Sequence, residues 1–151
     1  MNMKPLRISL LVYITLFCGS SHCQEADSSA IAQYQLDTIL KTVSHDCPFS
    51  ISPRYILFTP PDNLKHAIKT YTQKNPKELV TKQLKEEIYQ TNDQFIVLAC
   101  VSMLISTDRE RAMPVLEKYK QSFATTKVKW TRPYPDQKTL LQQLEGICKT
   151  K

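Results

Sequence analysis

A chain of 151 residues with 42% hydrophobic residues, 23% charged residues and a net charge of +6 has room for one ordinary domain with a single core. Its basic excess is spread along the chain, not gathered into a run, which argues against a nucleic-acid-binding surface and suits a mildly anionic partner. Only Gly19 and Gly146 are present, so phosphate-cradling loops and dinucleotide fingerprints are excluded, and β folds built on glycine turns are disfavoured.

The chain begins with a basic stretch carrying Lys4 and Arg7, then an apolar run from Ile8 to Phe17, then small and polar residues. That layout predicts a secretory signal peptide, residues 1–23, and a secreted, extracellular domain, residues 24–151. The apolar run is too short to span a bilayer, as is Phe95–Ile105, so no membrane insertion is expected. Small-residue rules permit cleavage after Ser20, Ser21 or Cys23. Cleavage after Cys23 leaves 18 basic against 14 acidic residues, because the leader holds two of the former and none of the latter. Cys18 leaves with the leader, Cys23 depends on the cleavage site, and Cys47, Cys100 and Cys148 remain as disulfide candidates in an oxidising compartment. No Asn-x-Ser/Thr site occurs.

Ser28 or Ser29 can cap a first helix to about His45, with Leu36, Ile39, Leu40 and Val43 on one face of a 3.6-residue period. Cys47–Pro48 ends it. Tyr55–Phe58, bounded by Pro53 and Pro60–Pro61, reads as a short strand. Asp62 opens an amphipathic stretch with Leu64, Ala67, Ile68 and Tyr71. Another begins at Asn75-Pro76-Lys77-Glu78, with Asn as cap, Pro at the first helical position, and Val80, Leu84 and Ile88 inside. Asp93 caps "QFIVLACVSMLIS", apolar almost all the way round and therefore the centre of a core.

Thr107 and Glu110 form a capping-box pattern, but Pro114 disturbs it, so the helix starts there or near Pro114, with Leu116, Tyr119 and Phe123 facing inward. Lys127–Thr131 alternates polar and apolar residues, a strand signal with Val128 and Trp130 on one face. Asp136 caps a last helix striped by Leu140, Leu141, Leu144, Ile147 and Cys148.

Two isolated strands, one after the first helix and one before the last, fit an all-α fold. The expectation is a short-chain four-helix bundle, up-up-down-down, whose long crossovers carry a two-stranded β-ribbon. In that topology the chain's start and the last helix's end share one pole. A retained Cys23 then reaches Cys148 and leaves Cys47 for Cys100. With Cys23 removed, Cys47–Cys100 is the expected bridge, and Cys148 is a free thiol or a dimer contact.

No catalytic constellation emerges, and no cofactor or metal is expected. His45-Asp46-Cys47 has the adjacent His-Asp of secreted phospholipases without a glycine-rich calcium loop or many disulfides. Cys47 or Cys100 with His66 is a nucleophile pair only on paper, since Cys100 lies in the most apolar segment. His45, Asp46, Cys47 and His66 lack zinc-ligand spacing, and Glu86–Glu87 reads as solvated helix surface. What remains is charged helix faces. The first helix carries Gln33, Asp37 and Lys41. The fifth carries Arg109, Arg111, Lys118 and Lys120 around Tyr119. The last carries Lys138, Gln142, Glu145 and Lys149.

"FIVLACVSMLIS", "RAMPVLEKYKQSF" and "TLLQQLEGICKTK" resemble the second, third and last helices of short-chain helical cytokines, most of all the interleukin-4/interleukin-13 group. The resemblance covers mainly residues 79–151. "ILFTPPDNLKHAIKTYTQ" is similar instead to the crossover and second helix of the interleukin-2/interleukin-15/interleukin-21 group, without its usual cysteines. The resemblance implies a monomeric, non-enzymatic ligand that bridges type I cytokine receptor chains on immune cells. Asp37 and Lys41, then Arg111, Lys118 and Tyr119, are the implied receptor contacts for one chain, and Gln142 and Glu145 for a shared chain. Anionic matrix glycans are a further candidate partner. The alternatives are a secreted helical carrier of a lipid or other apolar ligand, and a small hydrolase using His45 or Cys47.

Overall fold

The computed structural model describes residues 8–52, 55–125 and 128–149; for residues 8–26, Ala124 and Cys148 the description is of the backbone alone. Among the described residues, the chain forms six helices and one two-stranded antiparallel sheet.

The first helix, α1 (Ile8–Asp46), is continuous and starts well before the expected serine caps. No proline interrupts residues 8–46, and nothing else in that stretch forces the backbone out of the helical region. Ala32, Leu36, Ile39, Leu40 and Val43 are all buried, as the 3.6-residue period requires. The helix stops at Cys47, whose φ of 44° is left-handed and whose N–H donates to the Val43 carbonyl at 3.1 Å. This is a helix-ending conformation ordinarily given to glycine. Pro48 follows and cannot continue the helix.

The chain then turns into a hairpin of β1 (Phe49–Ile51) and β2 (Ile56–Phe58), with Phe49 opposite Phe58 and Ile51 opposite Ile56. The expected ribbon between Tyr55–Phe58 and Lys127–Thr131 does not form. Pairing β2 with the segment seven residues upstream closes a far smaller loop than pairing it with one some seventy residues downstream. Lys127 lies outside the described residues, and residues 128–130 form no strand. Trp130 instead stacks on Phe123, with ring centroids 5.3 Å apart, and the Thr131 N–H donates to the Asn92 carbonyl at 3.0 Å. Phe49 stacks on Phe95 at 4.8 Å and seats the hairpin against the start of α4 (Gln94–Thr107).

Between hairpin and α4 come α2 (Asp62–Lys74) and α3 (Lys77–Gln90). Asn75 does not cap α3 with its side chain. Its amide closes the end of α2, donating to the Tyr71 carbonyl at 2.8 Å and to Gln35 Oε1 at 3.0 Å. Asp93 does cap α4, accepting from the Phe95 N–H at 2.9 Å. Phe95, Val97, Leu98, Ala99, Cys100, Val101, Met103 and Leu104 are buried, and α1, α2, α3, α5 (Arg109–Thr125) and α6 (Gln137–Lys149) all pack against α4. Asp108, not Thr107, accepts from an N–H in the first turn of α5, that of Arg111 at 3.1 Å, and Pro114 is accommodated inside the helix. Asp136 accepts from the Thr139 N–H at 2.8 Å and caps α6 as expected.

Ser44, near the C-terminus of α1, donates to Asp93, at the N-terminus of α4, at 3.3 Å, so the end of the first helix and the start of the fourth meet. One expectation is corrected, the bridge between Cys47 and Cys100: both are free thiols. Cys47 sits at the Asp93 pole through Arg132, whereas Cys100 lies seven residues along α4, about 10 Å away along its axis. A disulfide needs Cα atoms within about 7 Å. The side chains of Cys23 and Cys148 lie outside the described residues.

Candidate partner-binding groove

On the outer face of α1, Gln33, Asp37 and Lys41 follow one another at helical spacing of four. Gln33 Nε2 donates to Asp37 Oδ1 at 2.8 Å, and Asp37 and Lys41 are exposed. Beside them α1, α3 and α4 enclose an open groove of about 880 Å³. Leu40 of α1 and Ile96 of α4 form an apolar floor, and Asp37, Lys41, His45, Asp46 and Glu87 of α3 line the walls. The expected residues Asp37 and Lys41 are thus brought together with Glu87, which sequence reading left on a solvated surface beside Glu86.

The stripe of α3 held the missing signal. Val80, Leu84 and Ile88 fill its core positions, and Glu87 falls seven residues after Val80 and three after Leu84, at the edge of that stripe. Partial burial is the main cause that pushes the Glu87 carboxyl above its ordinary range. The nearby Asp37 charge adds to the shift, a hydrogen bond from Gln33 opposes it, and Glu86 adds a smaller push.

A carboxyl whose folded pKa is raised destabilises the fold when ionised. The cost is absent below the unfolded value near 4.3 and complete once pH exceeds the folded value. Glu87→Gln is therefore expected to raise the thermal midpoint at neutral pH, by no more than about 0.5 kcal/mol of stability because the site is largely solvated. The gain should vanish in melts recorded below about pH 4. A lower midpoint for the variant at neutral pH would contradict this electrostatic reading.

The other implied contacts are dispersed. Arg111 donates to Glu78 at 2.8 Å and lies 3.4 Å from Asp108, tying the starts of α3 and α5 together. Lys118 and Gln142 are exposed. Glu145 lies 3.4 Å from Lys120, and these two line a separate, smaller groove between α5 and α6 with Met113, Glu117 and Lys149. Tyr119 is a correction. It is only 5% exposed, packed edge-on against Tyr89 at 5.8 Å and tilted against Phe123 at 5.2 Å, so it is core and offers no contact surface. The helical period had already placed it inward with Leu116 and Phe123. The resemblance placed it outward, and packing follows the period.

The residues weighed for catalysis do not converge. His45 Nδ1 lies 2.6 Å from Asp46 Oδ1 on the exposed end of α1. His66 sits on α2, in a groove of about 400 Å³ against α1 that Tyr34, Ile39, Leu64 and Ala67 also line. The polar partners of Cys47 are Arg132 and the Ser44 carbonyl, and burial pushes the Cys100 thiol up. Among the described residues, no group of three or more His, Cys, Asp or Glu side chains is placed to hold a metal ion, and no helix is long and apolar enough to cross a membrane. Compared with known proteins, the chain matches no family model, no characterised sequence and no solved structure.

Proposed function

We propose that the chain is a secreted, non-enzymatic protein ligand that engages type I cytokine receptor chains through the α1 face. The observation that carries this reading is the groove itself. Two of the residues singled out for receptor contact, Asp37 and Lys41, flank an apolar floor of Leu40 and Ile96 and meet a third charged group, Glu87. Charged walls around an apolar floor have the anatomy of a protein interface, in which desolvated anchors supply affinity and complementary charge supplies specificity and on-rate. The leader-like N-terminus supports secretion, because a basic start, a short apolar run and small residues are what signal recognition requires.

In this reading α1, α4, α5 and α6 serve as the four bundle helices of a short-chain fold, and the hairpin with α2 and α3 elaborates the first connection. The proposal stands on the α1 face and not on topology. The grooves against α1 open to the surface, which favours a ligand that docks on a partner over a carrier that encloses an apolar molecule.

The test is titration of the secreted protein against a panel of type I cytokine receptor ectodomains by surface plasmon resonance. Saturable, sub-micromolar binding to at least one of them is expected. Failure to bind any of them overturns the proposal.

A further inference from the structure

The charges in the α1–α3–α4 groove do not balance. Asp37, Asp46 and Glu87 line it against Lys41, the only permanently charged cation among the lining residues. His45 lies against Asp46. Among the described residues, no Lys or Arg pairs with Asp37 or Glu87. The amide of Gln33 is their shared neighbour, donating to Asp37 and hydrogen-bonding Glu87. Two carboxylates are thus held close together, one of them partly desolvated, above a floor on which Leu40 is buried and Ile96 half-buried. The fold gains nothing from this arrangement, since like charges at close range repel and desolvation adds to the cost. Groups kept in place at a cost to the fold are characteristic of sites where a partner supplies the compensation.

We infer that this groove receives an arginine side chain from the partner protein, its guanidinium seated between Asp37 and Glu87 and its aliphatic stem lying on Leu40 and Ile96. The inference rests on the reading of the α1 face as a docking surface and specifies the chemistry of what docks there. Arginine suits the site better than lysine. Its planar fork can donate to two carboxylates at once, where an ammonium acts as a point charge. Its three-carbon stem covers apolar surface while its head stays polar. Insertion turns a repulsive pair into two charge-assisted hydrogen bonds and withdraws the floor from water. Lys41, on the rim, opposes a second cation and sets an upper limit on how basic the inserted segment can be.

The probe is a short blocked peptide alternating arginine and leucine, titrated into the isotope-labelled secreted protein and followed by amide chemical shifts. A glutamate–leucine peptide is the control. Perturbations are expected at residues 37–46, Glu87 and Ile96, and none from the control. A double variant, Asp37→Asn with Glu87→Gln, should bind the arginine peptide at least about tenfold more weakly, with its spectrum otherwise unchanged. Lys41→Glu, a separate change on the rim, should tighten binding severalfold. Shifts scattered over the surface, an equal response to the acidic peptide, or an affinity unmoved by both variants overturns the inference.

The receptor panel separates this inference from the reading beneath it. Peptide seated in the groove with no ectodomain bound removes only the receptor assignment. An ectodomain that binds wild type and double variant equally removes the arginine inference alone.

Discussion

Replacing Arg132 by alanine is expected to lower the unfolding free energy by about 2–3 kcal/mol, measured as a shift in the denaturant midpoint at constant slope. Its guanidinium ties three distant segments together. Nε donates to Asp93 Oδ2 at 3.1 Å, Nη1 to the Cys47 sulfur at 2.9 Å and Nη2 to the Ser44 carbonyl at 2.6 Å, while the planar group lies 5.3 Å above the Phe95 ring. Ser44 and Cys47 belong to the end of α1, Asp93 and Phe95 to the start of α4, and Arg132 to the connection before α6. The positive charge also faces the C-terminal carbonyls of α1, where the helix dipole favours it.

Removal leaves the Asp93 carboxylate, 7% exposed, with hydrogen bonds from the Phe95 N–H and Ser44 but without its cation. Breaking a buried pair in this way costs about 3–5 kcal/mol. The figure here is lower because the arginine keeps some contact with water. Arg132→Lys should recover less than half of the loss, because one ammonium cannot serve three acceptors in different directions. A loss below about 0.5 kcal/mol for the alanine variant would show that the cluster is an ordinary surface contact.

Tyr119→Ala is expected to cost about 3–4 kcal/mol, the price of an emptied aromatic site in a packed core. Tyr119 lies in a run of rings in which Tyr89 meets it edge-on, Phe123 lies against its other side, and Trp130 stacks on Phe123. Burial accordingly pushes the Tyr119 phenol well above its ordinary range. Deleting the ring removes its contacts with Tyr89 of α3 and Phe123 of α5, and Phe123 in turn carries Trp130. Tyr119→Phe should stay within about 1 kcal/mol of wild type, since only the hydroxyl is lost. The decisive comparison is stability against partner affinity. At temperatures where the alanine variant is still folded, its groove affinity should match wild type. A stable variant with selectively lost binding would return Tyr119 to the contact surface.

Most of the helices were legible because local chemistry and burial agree. α6 carries an aspartate cap and a leucine stripe, and α4 combines the Asp93 cap with an apolar sequence that matches its contact with every other helix. The errors fall where two local signals compete or where a partner is distant. Asn75-Pro76 does mark a helix boundary, but the asparagine serves the helix it ends, a choice fixed by Gln35, forty residues away. Phe49–Ile51 is too short between Pro48 and Pro53 to show a period, so β1 was missed. The alternation in Lys127–Thr131 correctly signals one buried side, because Val128 and Trp130 pack against the core. Burial on alternate residues does not supply a neighbouring strand, and without one the segment remains irregular.

The groove was legible by half. Asp37 and Lys41 follow from helical spacing, whereas Glu87 reaches them only through the packing of α3 on α1, which no local pattern encodes. The Arg132 cluster joins residues up to 88 apart in sequence and left no trace in the motifs.

The central claim is that the chain is a protein ligand whose docking surface is the α1–α3–α4 groove. Hydrogen–deuterium exchange on the secreted protein, alone and in complex with the receptor ectodomain that binds it most tightly, tests this most directly. Protection is expected at residues 36–46, at 86–88 and around Ile96, with Leu57 of the hairpin and the outer face of α2 unchanged. Protection confined to α2, the hairpin or the α5–α6 groove, with residues 36–46 exchanging as in the free protein, would contradict it.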